Sequence, residues 1–181
     1  MATLTLAPTK DAFLFDSADF NRGGLIYLQC QAPRQDTNPA MRARAILAFD
    51  LSALPATAAI SSATLYLRRY MESGSEFQSY TPFALSRHDW LEAEATWYEY
   101  RDGAAWDSAG GDYGEPECDA VEAPPVDTYF DVLPIALAAH AAGTTLDILI
   151  RDTTEVGGAS ATRYCLWYSR DWGTESQRPL L

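Results

Sequence analysis

An antiparallel two-sheet β-sandwich, most simply an all-β jelly roll with one short helix near residues 134–142, is the fold this sequence predicts. Three observations carry it. Residues 42–49 (RARAILAF) alternate, with Ala43, Ala45, Leu47 and Phe49 pointing one way and Arg42, Arg44, Ile46 and Ala48 the other. Residues 63–68 alternate again, Ala63, Leu65 and Leu67 against Thr64, Tyr66 and Arg68. A period of two over such lengths means strands with one face on a core. Turn residues recur about every ten positions, the rhythm of many short strands packed as a sandwich.

In chain order, residues 3–6 (TLTL) and 12–15 (AFLF) read as short strands split by Pro8 and Lys10-Asp11. Residues 16–24 (DSADFNRGG) are turn chemistry, since Asn21 and the Gly23-Gly24 pair adopt positive φ at little cost. Residues 25–29 read as a strand and 31–41, polar with two prolines, as an exposed loop. The connection at 50–55 is too short for a crossover helix. Its Leu51 and Leu54 fold over the end of the core, and Asp50 bonds turn amides. Residues 72–76 form a turn and 80–85 a strand. After WLEAEATW (90–97) comes an irregular stretch, 98–125, rich in acidic residues; a loop this long is functional or unusually well tied down. Residues 126–132 alternate, with Val126, Thr128, Phe130 and Val132 on one face. Pro134 before IALAAHAA and Gly143 beyond it mark the helix. Strands at 146–150 and 163–169 flank a turn at Gly157-Gly158, and 178–181 begin a last strand. No internal repeat or low-complexity linker interrupts the chain, so residues 1–181 read as one jelly-roll domain.

With 181 residues, 48% hydrophobic and 12% aromatic, the chain can bury a sizeable core and is not disordered. Its net charge of −12 repels phosphate backbones and anionic lipid, which argues against nucleic-acid and membrane partners. Neutral sugars, cations and basic or uncharged protein surfaces are the favoured partners. Cys30, Cys118 and Cys165 lie far apart with no CxxC pair, which excludes common zinc signatures; buried thiols are the plainer reading beside a single disulfide. The N-terminus lacks the basic-then-apolar pattern of a signal peptide, so the expectation is a soluble chain made in the cytoplasm.

Several residues invite a functional reading. Tyr100 and Tyr113 flank the acidic loop and are candidates for ligand stacking. Trp172 lies between Asp171 and Gly173 in a polar turn where an indole lacks an obvious core to join. Arg170, with Arg163 and Arg178, is the cationic patch an acidic polymer would need. Asp102, Asp107 and Asp112, interspersed with Gly103, Gly110 and Gly111, are candidate oxygen ligands for a hard cation such as Ca²⁺, against the plainer reading of a solvated acidic loop. No cofactor is required. Glu92 and Glu94 could pair as in a glycosidase, but simple exposure on a strand accounts for them. His88 beside Asp89 has no nucleophile motif with it, and His140 sits in an alanine-rich helix, so no catalytic set is assigned.

Four stretches together, RAILAFDLSALP, AAISSATLYL, WLEAEATW and YSRDWGTESQRPLL, resemble one family, and YFDVLPIALAAHAAG and AAWDSAGGD add to the match. The chain resembles the DNRLRE-type jelly-roll domain, which is similar to the carbohydrate-binding modules grouped as family 96. The resemblance implies a non-catalytic module in which Trp90, Trp97 and Trp106 pack loops onto the sandwich. Such domains occur in extracellular polysaccharide-degrading proteins, surface proteins and phage virion proteins. Without an export signal, the expected role is a virion structural protein, a capsid decoration or tail-associated module, whose partners are other virion proteins or itself. The alternative is an extracellular, stand-alone carbohydrate-binding module with a polysaccharide partner.

Overall fold

The computed structural model describes residues 2–16, 20–33, 41–74, 78–155 and 163–181. In order these form β1 (Lys10–Phe15), β2 (Tyr27–Ala32), β3 (Ala43–Phe49), β4 (Thr64–Ser73), β5 (Ser79–Ala84), β6 (Glu99–Arg101), β7 (Ala104–Ala105), β8 (Val121–Glu122) and β9 (Asp127–Asp131). The helix α1 (Leu133–Ala142), β10 (Leu146–Asp152), β11 (Arg163–Tyr168) and a 3₁₀ turn (Glu175–Gln177) complete the chain. The expected turn at Gly157-Gly158, most of the expected 31–41 loop, and residues 17–19 and 75–77 lie outside the described residues.

Every strand pair is antiparallel. β1 and β10 flank β3, β5 follows β10, and β8 follows β5; β2, β11, β4 and β9 form a second arm. The two sheets expected from the sequence are here one nine-stranded, hydrogen-bonded sheet bent back on itself. The joint is the single pair Gln31↔Ala43. Pairing of β10 with β3 ends at Ile150↔Ala45, which leaves the edge at Ala43 open to β2. β6 and β7 form a separate hairpin.

The inner faces of the two arms share one core. Ala45, Leu47, Phe49, Ile148 and Ile150 meet Leu28, Cys30, Leu65, Leu67, Phe130 and Trp167, with Leu51 and the helix residues Ile135 and Ala136 closing the end. A second core lies outside the first arm. There Ile46, Ala48, Phe83 and Leu149 are covered by Trp90, Ala95, Trp97, Tyr100 and Trp106. This explains why β3 is buried along its whole length and why its second face is apolar at Ile46 and Ala48. Two of these indoles bury with their N–H groups satisfied: Trp90 Nε1 donates to Asp147 Oδ1 at 2.6 Å and Trp106 Nε1 to the Thr96 carbonyl at 2.9 Å.

The long acidic stretch is therefore a fitted cover. Gly110 (φ +89°) lets it approach: a Cβ there would lie 2.6 Å from Arg44 Nη1 and 2.7 Å from the Trp97 ring. Arg44 is itself buried, donating to Glu155 at 2.6–3.1 Å and to the Gly110 carbonyl at 2.8 Å. Such a pair belongs where both ions keep their hydrogen bonds.

Other expectations shift. Residues 3–6 form no strand; Leu6 exchanges backbone bonds with Leu181. Residues 178–181 likewise give one bridge, Tyr66↔Leu180. The 90–97 stretch is turns, with Glu94 and Ala95 N–H groups donating to the Leu91 carbonyl. Glu72, expected in a turn, lies in β4. The helix holds, with Pro134 in its first turn and Gly143 (φ 66°) as its left-handed cap. Asp50 behaves as expected: Oδ1 accepts from the Ser52 N–H and Oδ2 from its hydroxyl, which holds its carboxyl below the usual range. All three cysteines are free and buried, and burial pushes their thiols up. Among the described residues no helix is long and apolar enough to cross a membrane.

Candidate functional site

The outer face of the second arm is built by strand alternation. Cys30, Leu65, Leu67, Phe130, Cys165 and Trp167 point into the core. Their neighbours Tyr27, Tyr66, Tyr129, Tyr164 and Tyr168 therefore point out. Pairing sets Tyr27 opposite Tyr168 and Tyr66 opposite Tyr129. A register shift opposite Leu166 and Trp167 leaves Tyr70 unpaired between Arg69 and Met71. A bulge of this kind re-aims a side chain, and here it turns Tyr70 and Met71 outward, 42% and 46% exposed.

The result is a continuous group of rings. Trp172, in the turn after β11, stacks on Tyr168 with centroids 4.5 Å apart and planes at 28°. Tyr70 lies 5.3 Å from Tyr168 and 6.2 Å from Trp172, and Tyr27 lies 6.3 Å from Tyr70. Buried Phe13, 5.7 Å from Tyr27, anchors the row to β1. Trp172 is fixed from beneath: its Nε1 donates to Gln177 Oε1 at 2.8 Å, and Arg178 Nε donates to its carbonyl at 2.6 Å. Further along, Tyr66 and Tyr129 pack at 5.3 Å, and the Tyr66 hydroxyl donates to Asp127. Burial and that bond hold the Tyr66 phenol above its usual range. Adjoining rings that stay partly open to solvent make this the candidate binding face.

The other candidates lie elsewhere. Tyr100 is buried against Trp106, with Arg87 over its ring at 4.4 Å, so burial withdraws it from ligand stacking. Tyr113 is half-buried; its hydroxyl accepts from Arg151 at 2.8 Å. It lines a pocket of ≈ 520 Å³ with Phe83, Arg44, Arg151 and Glu115 on the opposite side of the molecule's core. Arg170 faces away from the rings: its guanidinium donates to Glu92 at 3.2–3.3 Å and to the Thr9 carbonyl. The cationic patch does not form, because Arg163 is buried on Asp152 and Arg178 is held by the Trp172 carbonyl.

Asp102, Asp107 and Asp112 do not converge on a common point; among the described residues the three carboxylates that do are Asp11, Glu92 and Asp171. Asp102 is exposed at the β6–β7 turn, while Arg87 reaches toward both Asp107 and Asp112 at 3.6 Å. Asp112 Oδ1 accepts from the Ser108 N–H, so it shapes the cover. Glu92 and Glu94 serve backbone donors, Asp11 N–H and Asp102 N–H respectively. His88 Nδ1 lies 2.8 Å from Asp147, in a network that also takes Trp90 and Thr145.

Sequence reasoning singled out Trp172 and not its ring neighbours Tyr27, Tyr70 and Tyr168. The signal was present in the outward tyrosines of β2, β4 and β11, yet only pairing puts them side by side. No curated protein matches the chain in sequence. The family model for carbohydrate-binding module family 96 matches residues 2–103. This match spans more than half of the chain and takes in β1 to β5, with Tyr27 and Tyr70; the chain belongs to carbohydrate-binding module family 96.

Proposed function

We propose that this chain is a non-catalytic carbohydrate-binding module that holds a polysaccharide across the open face of β2, β11, β4 and β9. The observation that carries this reading is the run of adjoining rings Tyr27, Tyr70, Tyr168 and Trp172. Flat indole and phenol faces suit the apolar faces of pyranose rings, and their hydroxyl and N–H edges stay available for polar contacts. Asp127, Asp131, Asp171 and Glu72 border the face, and the net charge is −12, so a neutral glycan is the better electrostatic partner. The family supports this role over the virion role placed first by the sequence.

The two arms correspond, on this reading, to the two leaves of a jelly roll, and the whole chain is one domain. β11 separates β2 from β4 and β10 separates β3 from β5, so the family-matched segment depends on strands that follow it.

Affinity electrophoresis in gels containing neutral polysaccharides tests the function. The protein should be retarded by its glycan, and Trp172→Ala should weaken binding about tenfold, about 1.4 kcal/mol, with little change in melting temperature. Absence of retardation across a broad neutral-glycan panel, or equal retardation of Trp172→Ala, would overturn the reading.

A further inference from the structure

Three carboxylates from distant parts of the chain meet where the covered arm and the open arm come together. Asp11 lies in β1, Glu92 in the turns after Trp90, and Asp171 in the turn after β11. One ligand oxygen from each lies within 4.8 Å of the others. They form a graded entrance, with Asp11 buried, Glu92 intermediate and Asp171 exposed. Asp11 is 0% exposed; its Oδ2 accepts the Arg170 N–H at 2.8 Å, while its Oδ1 is sealed from solvent with no hydrogen-bond partner. A buried acceptor of this kind is costly unless something pairs with it. Among the described residues, two cations lie near the cluster: Lys10, whose ammonium donates to the His88 and Trp90 carbonyls, and Arg170. Of these, Arg170 contacts the carboxylates. Its guanidinium is directed to Glu92 and the Thr9 carbonyl, and only its backbone N–H reaches Asp11.

We propose that Asp11, Glu92 and Asp171 bind a divalent hard cation of the Ca²⁺ class. The donor set is all oxygen and all carboxylate, which selects hard ions over thiolate- and imidazole-seeking ones. Ca²⁺ tolerates irregular geometry and takes waters to complete its shell, which suits a site with one buried and one exposed carboxylate. The ion competes with Arg170 for Glu92, and the Arg170 side chain, 35% exposed, has solvent to move into. Once bound, it ties β1, the cover and the turn that carries Trp172 to one point.

The test is titration of CaCl₂ into chelator-stripped protein, read by melting temperature and by calorimetric heat, with NaCl at matched ionic strength as control. Ligand that binds only the native state raises the melting temperature in a saturable way. The expected result is a saturable rise of several degrees with CaCl₂ and none with NaCl. Asp171→Asn, exposed and outside any core contact, should melt like the parent when stripped and bind Ca²⁺ at least tenfold more weakly. Asp11→Asn should abolish the response. No saturable Ca²⁺ response in the parent overturns the proposal, as does an unchanged midpoint in Asp171→Asn; that variant decides the matter even if Asp11→Asn does not fold. No glycan enters these measurements, so their outcome is separate from that of the gel experiment.

Discussion

Outside β1, β3, β10 and β5, Ile46, Ala48, Phe83 and Leu149 lie under Trp90, Trp97 and Trp106, none of these indoles more than 5% exposed. Outside β2, β11, β4 and β9, Tyr70 and Tyr129 stand 42% and 59% exposed, with Tyr27, Tyr168 and Trp172 beside them. Both faces are rich in aromatic rings, yet one is a second core and the other an open surface. The strand residues beneath decide it. Ile, Ala, Phe and Leu offer only apolar surface and gain by being covered. Tyr, Gln and Arg carry groups that need water or a polar partner, so a cover would leave them to be satisfied. An aromatic ring is thus a brace or a contact surface according to what its strand neighbours require.

The sharpest way to break this contrast is to remove one brace. Trp97→Ala should cost about 3–5 kcal/mol, the range for deleting a buried large aromatic. It also strips the ring on which Arg42 and Arg44 rest at 4.9 and 4.7 Å. Urea unfolding measures it, and a midpoint equal to the parent's would mean that the 86–120 stretch is not a fitted cover.

Next in size is a pH effect at the seam of the two arms. Burial first, then the neighbouring carboxylates Glu92 and Asp171, push the Asp11 carboxyl up to about 7, against the opposing pull of the Arg170 N–H and guanidinium. A folded-state value above the unfolded one makes a contribution present below about pH 4 and lost as pH rises through about 7. In chelated protein, the stability of Asp11→Asn relative to the parent should therefore rise by a few kcal/mol between those limits. A difference that stays flat with pH, measured by unfolding at several pH values, contradicts this account of Asp11.

The smallest effect is expected on the open face. Tyr129→Ala, a surface change, should alter stability by no more than about 0.5 kcal/mol. A cost comparable to that of Trp97→Ala would mean the open face is packed after all and would erase the contrast.

Much of the covered arm was legible in the sequence. The family resemblance marked Trp90, Trp97 and Trp106 as packing residues, and all three are buried; alternation put one face of residues 42–49 on a core, while Ile46 and Ala48 on the other face lie in a second core. The open site was less legible. Trp172 stood out because a lone indole in a polar turn lacks a core, but Tyr100 was chosen beside it for its place near acidic residues. Its ring instead fills a space against Trp106. Asp102, Asp107 and Asp112 were grouped because they are close in sequence. In a loop with this many turns, nearness along the chain does not bring carboxylates to one point.

Alternation alone determined that this chain makes antiparallel strands with Leu47, Leu65 and Phe130 facing a core, and Pro134 and Gly143 alone placed the helix. Those signals are local: they depend on side-chain period and on backbone conformations that a residue type allows or forbids. Which strands become neighbours is not local. β11 lies between β2 and β4 although β4 ends at Ser73 and β11 begins only at Arg163. Tertiary pairing alone therefore decided that Tyr27, Tyr70, Tyr168 and Trp172 adjoin and that Asp11, Glu92 and Asp171 converge, because a period of two tells which way a side chain points and not what it meets there.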